Sequence, residues 1–185
     1  METRIIEHPR IATMFGSDSD LEQAVEAHDF LLKEAAEGRI ILFDEWTNSI
    51  HRNPADVLAA LSKLIGEVDA ILVGAGWANH LTGCVDAFLR NFFRNDHIVI
   101  FGVAIEDLAN EVHTETAIWS ITELPSSEVV FNGYVGQEGC LRAAQDMAKG
   151  VYPVIKLKDL KGKPAVRRPI EEAIRIGQEK RKKQK

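Results

Sequence analysis

Apolar runs alternate with amphipathic stretches along most of the chain, the pattern of βαβ units feeding a parallel sheet. The first run, residues 11–15, predicts a buried strand. It ends in Gly16-Ser17-Asp18-Ser19-Asp20, after which Leu21, Ala24, Val25, Ala27, His28, Leu31 and Leu32 recur at helical spacing. A second strand is predicted over 39–43. Asn53-Pro54 then reads as the N-cap and first residue of a helix carrying Val57, Leu58, Leu61 and Leu64. The clearest strand covers 70–73. It runs into a loop that opens with Gly74-Ala75-Gly76 and then into a helix near 85–93. Further strands are predicted over 98–103 and 129–131, with a helix and loop between them that end at Leu124-Pro125. Helices are expected over 139–149 and 170–183. Five strands with helices on both faces make an open, doubly wound α/β sheet. Such sheets hold ligands outside the carboxyl ends of their strands, near a topological switch point.

The 185 residues fit a single domain, with a core over 10–150, a C-terminal extension with a helix over 151–179 and a basic tail over 180–185. Hydrophobic residues at 45% allow a sizeable core, and charged residues at 27% argue against disorder. The tail holds five positive charges. Without them the count is 17 Lys and Arg against 28 Asp and Glu, a net charge of -11. An acidic body of this kind argues against nucleic acid as a partner, and the tail reads as a solvated end. The charges of the first ten residues occupy the place where a signal peptide needs an apolar core, and no apolar run approaches bilayer length. Cys84 and Cys140 stand far apart with no metal spacing, which points to reduced thiols, a cytoplasmic location and no membrane partner.

Three loops that follow predicted strands have unusual composition. Gly16 to Asp20 combines a glycine, two hydroxyls and free backbone N–H groups at a helix start, a ready anion site. Two carboxylates would repel a phosphate, so Asp20 reads as a partner for ribose hydroxyls and Asp18 as a helix cap. Ser and Asp are ordinary caps, so by itself this loop is equally a capped helix without a ligand. Asn48 to Pro54 places His51 and Arg52 side by side, one titratable group and one phosphate clamp, although an isolated histidine is more often a surface or packed residue. Residues 74–83 hold three glycines and two alanines, which let a ligand approach the backbone closely. Gly83 reads as helix packing. Trp77 stacks on a flat ring or fills a contact.

Together these loops resemble the aminoimidazole ribonucleotide carboxylase and mutase family of purine biosynthesis, the PurE family. Its GSxSD loop matches Gly16 to Asp20, its SAHRTP segment matches Ser49 to Pro54, and its AGAGGAAHLPG loop matches Val73 to Gly83. The resemblance covers about residues 10–150 and implies a three-layer, flavodoxin-like α/β/α sandwich, assembled as a homo-oligomer, usually an octamer. It implies His51 as the catalytic acid/base and Ser17, Asp20 and Arg52 as substrate-binding positions. Ser49, Gly76 and Leu81 line the same pocket, and Ser19, Trp77, Asn79 and His80 from these loops complete the expected set. His80 is expected to be structural or a weak contributor. The implied ligands are a ribonucleotide and carbon dioxide, with no metal and no organic cofactor.

The chain departs from the commoner bacterial pattern. Trp77 stands where a second glycine is usual, Asn79 where alanine is and Thr82 where proline is. Asn79, Trp119-Ser120, Leu124-Pro125-Ser126 and Glu138-Gly139 resemble the branch that carboxylates with free carbon dioxide. Arg52 and the Gly74-Ala75-Gly76 run resemble the mutase branch, which moves a carboxylate from nitrogen to carbon. The reaction expected is ATP-independent carboxylation at ring carbon C4. The alternatives are the mutase, or a divergent phosphoribosyl-binding relative with another substrate.

Overall fold

In a computed structural model, residues 2–124, 128–157 and 165–183 are described. In chain order the elements are β1 (Thr3–Ile5), β2 (Arg10–Phe15), α1 (Val25–Ala36), β3 (Ile41–Thr47), α2 (Pro54–Leu64), β4 (Ala70–Ala75), α3 (His80–Ala87), β5 (Val99–Ala104), α4 (Glu111–Thr122), β6 (Val129–Val130), α5 (Gly136–Ala148), β7 (Val151–Pro153) and α6 (Ile170–Lys183). A 3₁₀ segment, Asp18–Ala24, precedes α1, and a π-helical turn, Phe88–Phe92, follows α3.

The sheet order is β3-β2-β4-β5-β6, all parallel. Alternation along each strand divides the apolar side chains between two layers. Ile11, Phe15, Leu72, Phe101 and Val103 face α1 and α5, meeting Ala27, Leu31, Ala143, Ala144 and Met147. Ala12, Met14, Ile71, Val73 and Ile100 face α2 and α3, meeting Val57, Leu61, Leu64, Leu81 and Val85. Ala117 and Ile121 seat α4 beside β5 on that second side. The result is the doubly wound sheet expected from the pattern, built into the flavodoxin-like sandwich that the resemblance implies. Its order reverses between β2 and β4, and that junction is where such folds bind ligands.

Several boundaries differ from those the hydrophobic pattern predicts. The first helix is tightened into a 3₁₀ turn where Asp18 to Asp20 enter it, and the cap is Ser17 rather than Asp18. The second strand covers 41–47 rather than 39–43, and Arg39 instead forms ion pairs with Glu34 and Glu37. The third helix starts at His80, so Gly83 lies inside it. An added Cβ there would come within 2.8 Å of Leu124, consistent with a packing role. Pro54 opens α2 as read, but the Asn53 side chain makes no capping bond. Pro125 and Ser126 lie outside the described residues.

The pattern also passed over β1 and β7, which pair antiparallel as a separate two-stranded sheet. Three-residue strands are too short to show a period. A polar cluster ties this ribbon to the amino ends of the main strands. Arg4 Nη1 lies 2.8 Å from His97 Nδ1, and His97 Nε2 lies 2.7 Å from Asp69, which Arg10 also grips. Burial opposes ionisation of Asp69, but the bonds from Arg10 and His97 prevail and bring its pKa down to about 2. α6 buries none of its residues. No described helix is long and apolar enough to cross a membrane.

Candidate functional site

At the carboxyl ends of β2, β3 and β4 lies a cleft of about 630 Å³. The residues expected in the site line it: Ser17, Ser19 and Asp20 from the first loop, Ser49, His51 and Arg52 from the second, and Gly76, Trp77, Asn79, His80 and Leu81 from the third. These residues are far apart in sequence and meet because three parallel strands end at the same level.

The first loop is drawn against the third by Gly16 N–H, which donates to the Gly74 carbonyl at 2.9 Å. An added Cβ on Gly16 would stand 3.0 Å from the Ala75 Cβ and 3.3 Å from Asp20 Oδ2, so only glycine fits without displacing a neighbour. Ser17 accepts from Ser19 N–H at 3.4 Å, and its hydroxyl lies 3.0 Å from that of Ser19. Asp20 is buried at the base of the loop. Burial raises its pKa to about 6, against the opposing effect of hydrogen bonds with the Ser17 and Gly16 backbone.

The second loop leaves β3 where Asn48 N–H donates to the Phe15 carbonyl at 2.8 Å. It turns back at Ser49, whose carbonyl accepts from the N–H groups of Arg52 and Asn53. His51 and Arg52 are exposed on the cleft wall. Arg52 has no ion-pair partner among the described residues, so its five donors are free for a ligand. His51 Nε2 lies 2.7 Å from His80 Nδ1, with the rings edge to face. His80, expected to be structural or a weak contributor, is exposed and lines the cleft, because it opens α3 whereas Leu81 points to the core.

The third loop carries two non-glycine residues in the left-handed region, Trp77 at φ +56° and Asn79 at φ +32°. Such conformations persist only where surrounding contacts hold them. Asn79 is buried, and both ends of its amide are occupied. Oδ1 accepts from the N–H and hydroxyl of Thr82, and Nδ2 donates to the Val103 carbonyl at 2.9 Å. Its amide is a helix cap and loop anchor. Trp77 stacks on His113 of α4, centroids 4.4 Å apart. His113 is oriented by Asp107, at 2.7 Å, and by Asn110. The sequence held no local signal for this contact, since His113 and Asp107 lie some thirty residues from Trp77 and in no motif.

This arrangement can bind an anion and move a proton. An unpaired guanidinium, the Ser17 and Ser19 hydroxyls and a histidine pair line one cleft. The thiols contribute no nucleophile: Cys140 is buried, and its pKa is pushed up to about 12 by burial and then by the Asp20 charge, while burial also raises that of Cys84. Among the described residues, no group of three or more His, Cys, Asp or Glu could hold a metal ion.

The chain is similar in fold to the crystal structure of Treponema denticola PurE, with a TM-score of 0.52 and 17% sequence identity, over 77% of this chain and 88% of that one. No curated protein matches it in sequence. The family model for AIR carboxylase matches residues 10–153, from the start of β2 to the end of β7, and so includes all three cleft loops. With well over half of its length matched, the chain belongs to the AIR carboxylase family of purine biosynthesis.

Proposed function

We propose that this protein carboxylates aminoimidazole ribonucleotide at ring carbon C4 without ATP, with His51 as the acid/base. The observation that carries the reading is the His51–His80 pair, 2.7 Å apart, in the same cleft as the unpaired Arg52 and the Ser17 and Ser19 hydroxyls. The phosphate binds Arg52 and the Ser17 and Ser19 hydroxyls of the first loop, and Asp20 accepts from the ribose hydroxyls. The ring lies towards the histidines. Its enamine carbon C4 attacks carbon dioxide, forming the C–C bond and leaving a tetrahedral carbon that still bears a proton. His51 removes that proton, the ring electrons are restored, and the proton passes through His80 to solvent.

Direct carboxylation is supported by the likeness of Asn79, Trp119-Ser120 and Glu138-Gly139 to the carbon-dioxide-using branch. Asn79 acts there by shaping the loop. The mutase is the second reading, favoured by the small side chains of Ala75, Gly76 and Ala78, which suit retention of carbon dioxide released from nitrogen. Purified protein mixed with the nucleotide and bicarbonate should form the C4-carboxylated product. Turnover of only the N-carboxylated isomer would replace this reading with the mutase, and turnover of neither would point to a different phosphoribosyl substrate. The reading includes a homo-oligomer, supported by the exposed apolar side chains of Phe92, Leu108, Val112 and Trp119.

A further inference from the structure

We infer that Glu45, a residue outside the cleft, is a positioning residue that sets the spacing between the phosphate loop and the histidine loop. This deepens the function proposed above and rests on it. The inference starts from an irregularity. β2 and β3 pair Ile11 with Leu42 but Thr13 with Glu45, so β3 carries one extra residue at this point. Such a bulge re-aims the side chain that follows it, and bulges concentrate next to functional sites. Here the Glu45 carboxylate turns across to β2. Oε1 accepts from the Phe15 N–H at 3.1 Å and Oε2 accepts from the Thr13 hydroxyl.

Phe15 is the last residue before Gly16, and its two backbone polar groups both go to β3 or the loop that follows. Its N–H donates to Glu45, and its carbonyl accepts from Asn48 N–H at 2.8 Å, immediately before Ser49. One residue therefore joins the start of the first loop to the start of the second, and Glu45 supplies half of that junction. His28 of α1 backs the arrangement. Its Nε2 lies 3.4 Å from Glu45 Oε2, and its ring meets Phe15 edge to face. His28 Nε2 is buried without a hydrogen-bond partner among the described residues, and the Glu45 carboxylate stands beside it. The Ser17 and Ser19 hydroxyls of the first loop and His51 of the second lie on opposite sides of this junction. Displacement by about 1 Å between reacting groups costs up to roughly 100-fold in rate.

Two conservative variants separate reach from charge. Glu45→Gln keeps the length and can still accept from Phe15 N–H while donating to the Thr13 hydroxyl. Glu45→Asp keeps the charge but is one methylene short of both donors. Positioning by reach predicts that Glu45→Gln keeps kcat and nucleotide affinity within about threefold, whereas Glu45→Asp loses about tenfold to 100-fold in kcat/KM. A purely structural role would lower the melting temperature of Glu45→Asp and leave both parameters unchanged well below it. Amide exchange and histidine ring resonances, measured by NMR on the full chain without substrate, read the geometry directly. In Glu45→Asp the Phe15 amide should lose protection and the His51 and His80 ring signals should shift, and in Glu45→Gln neither should change. Wild-type kinetics or an intact Phe15 amide in Glu45→Asp would overturn the inference, as would a Glu45→Gln variant as impaired as Glu45→Asp. If the wild type turns over neither nucleotide, the function reading fails while the NMR comparison still decides the role of Glu45.

Discussion

Replacing Asp20 with asparagine should make the protein more stable and its site worse. Asp20 is 9% exposed, and burial raises its pKa from 3.8 to about 6 even though backbone hydrogen bonds favour the anion. The folded state therefore holds this proton more tightly than the unfolded chain does. Stability falls as pH rises between those two values, and the whole cost is present above about pH 6. A shift of about two units corresponds to about 3 kcal/mol. Asparagine stays neutral at every pH, but its amide hydrogens need partners that the carboxylate did not, which offsets roughly 1 kcal/mol or more. The expected net gain near pH 7.5 is about 1–2 kcal/mol, or about 3–6 °C in Tm for a chain of this size. Thermal melts of both proteins between pH 4 and 8 should show the difference shrinking steadily towards pH 4. Nucleotide binding should weaken in parallel, because a strong acceptor for the ribose is gone. A variant less stable than the wild type at pH 7.5, or a gain that does not vary with pH, would refute the reasoning.

Arg52→Ala should weaken nucleotide binding about tenfold or more, as removal of a charge-assisted bond contributing roughly 1.5–3 kcal/mol requires; calorimetry showing unchanged affinity would remove Arg52 from the site. His51→Asn should lower turnover by roughly 100- to 10,000-fold with binding largely kept. His80→Ala should lower it less, since solvent can replace the second member of the pair, and a larger loss in His80→Ala than in His51→Asn would reverse the two roles. Ligand addition should change tryptophan fluorescence, and Trp77→Phe should remove most of that change; a full signal in the variant would assign the response to Trp46 or Trp119.

The order of strands and helices was legible in the sequence because each layer of a parallel sheet imposes its own period. Residues 11–15, 70–73 and 98–103 are apolar on both faces because helices cover both faces. The loops were legible for a related reason: motif residues adjacent in sequence, such as His51 and Arg52, need no tertiary contact to be recognised together. What a side chain does in its loop was not legible. Asn79 and His80 are neighbours in one motif, yet the turn of α3 sends the amide inwards to Thr82 and Val103 and the imidazole outwards to His51. Which face of a helix a residue occupies depends on where the helix begins, and the pattern placed that start several residues too late.

Contacts between distant segments lay beyond the sequence altogether. The stack of Trp77 on His113, the reach of Glu45 across a bulge to Phe15, and the pairing of β1 with β7 join elements whose spacing carries no period or motif. The sequence alone therefore determined the layers and the three loops of the cleft, because local periodicity and short motifs encode both. Only the tertiary structure decided how those loops are held relative to one another, because that depends on hydrogen bonds and ring contacts between segments that meet only once the sheet has formed.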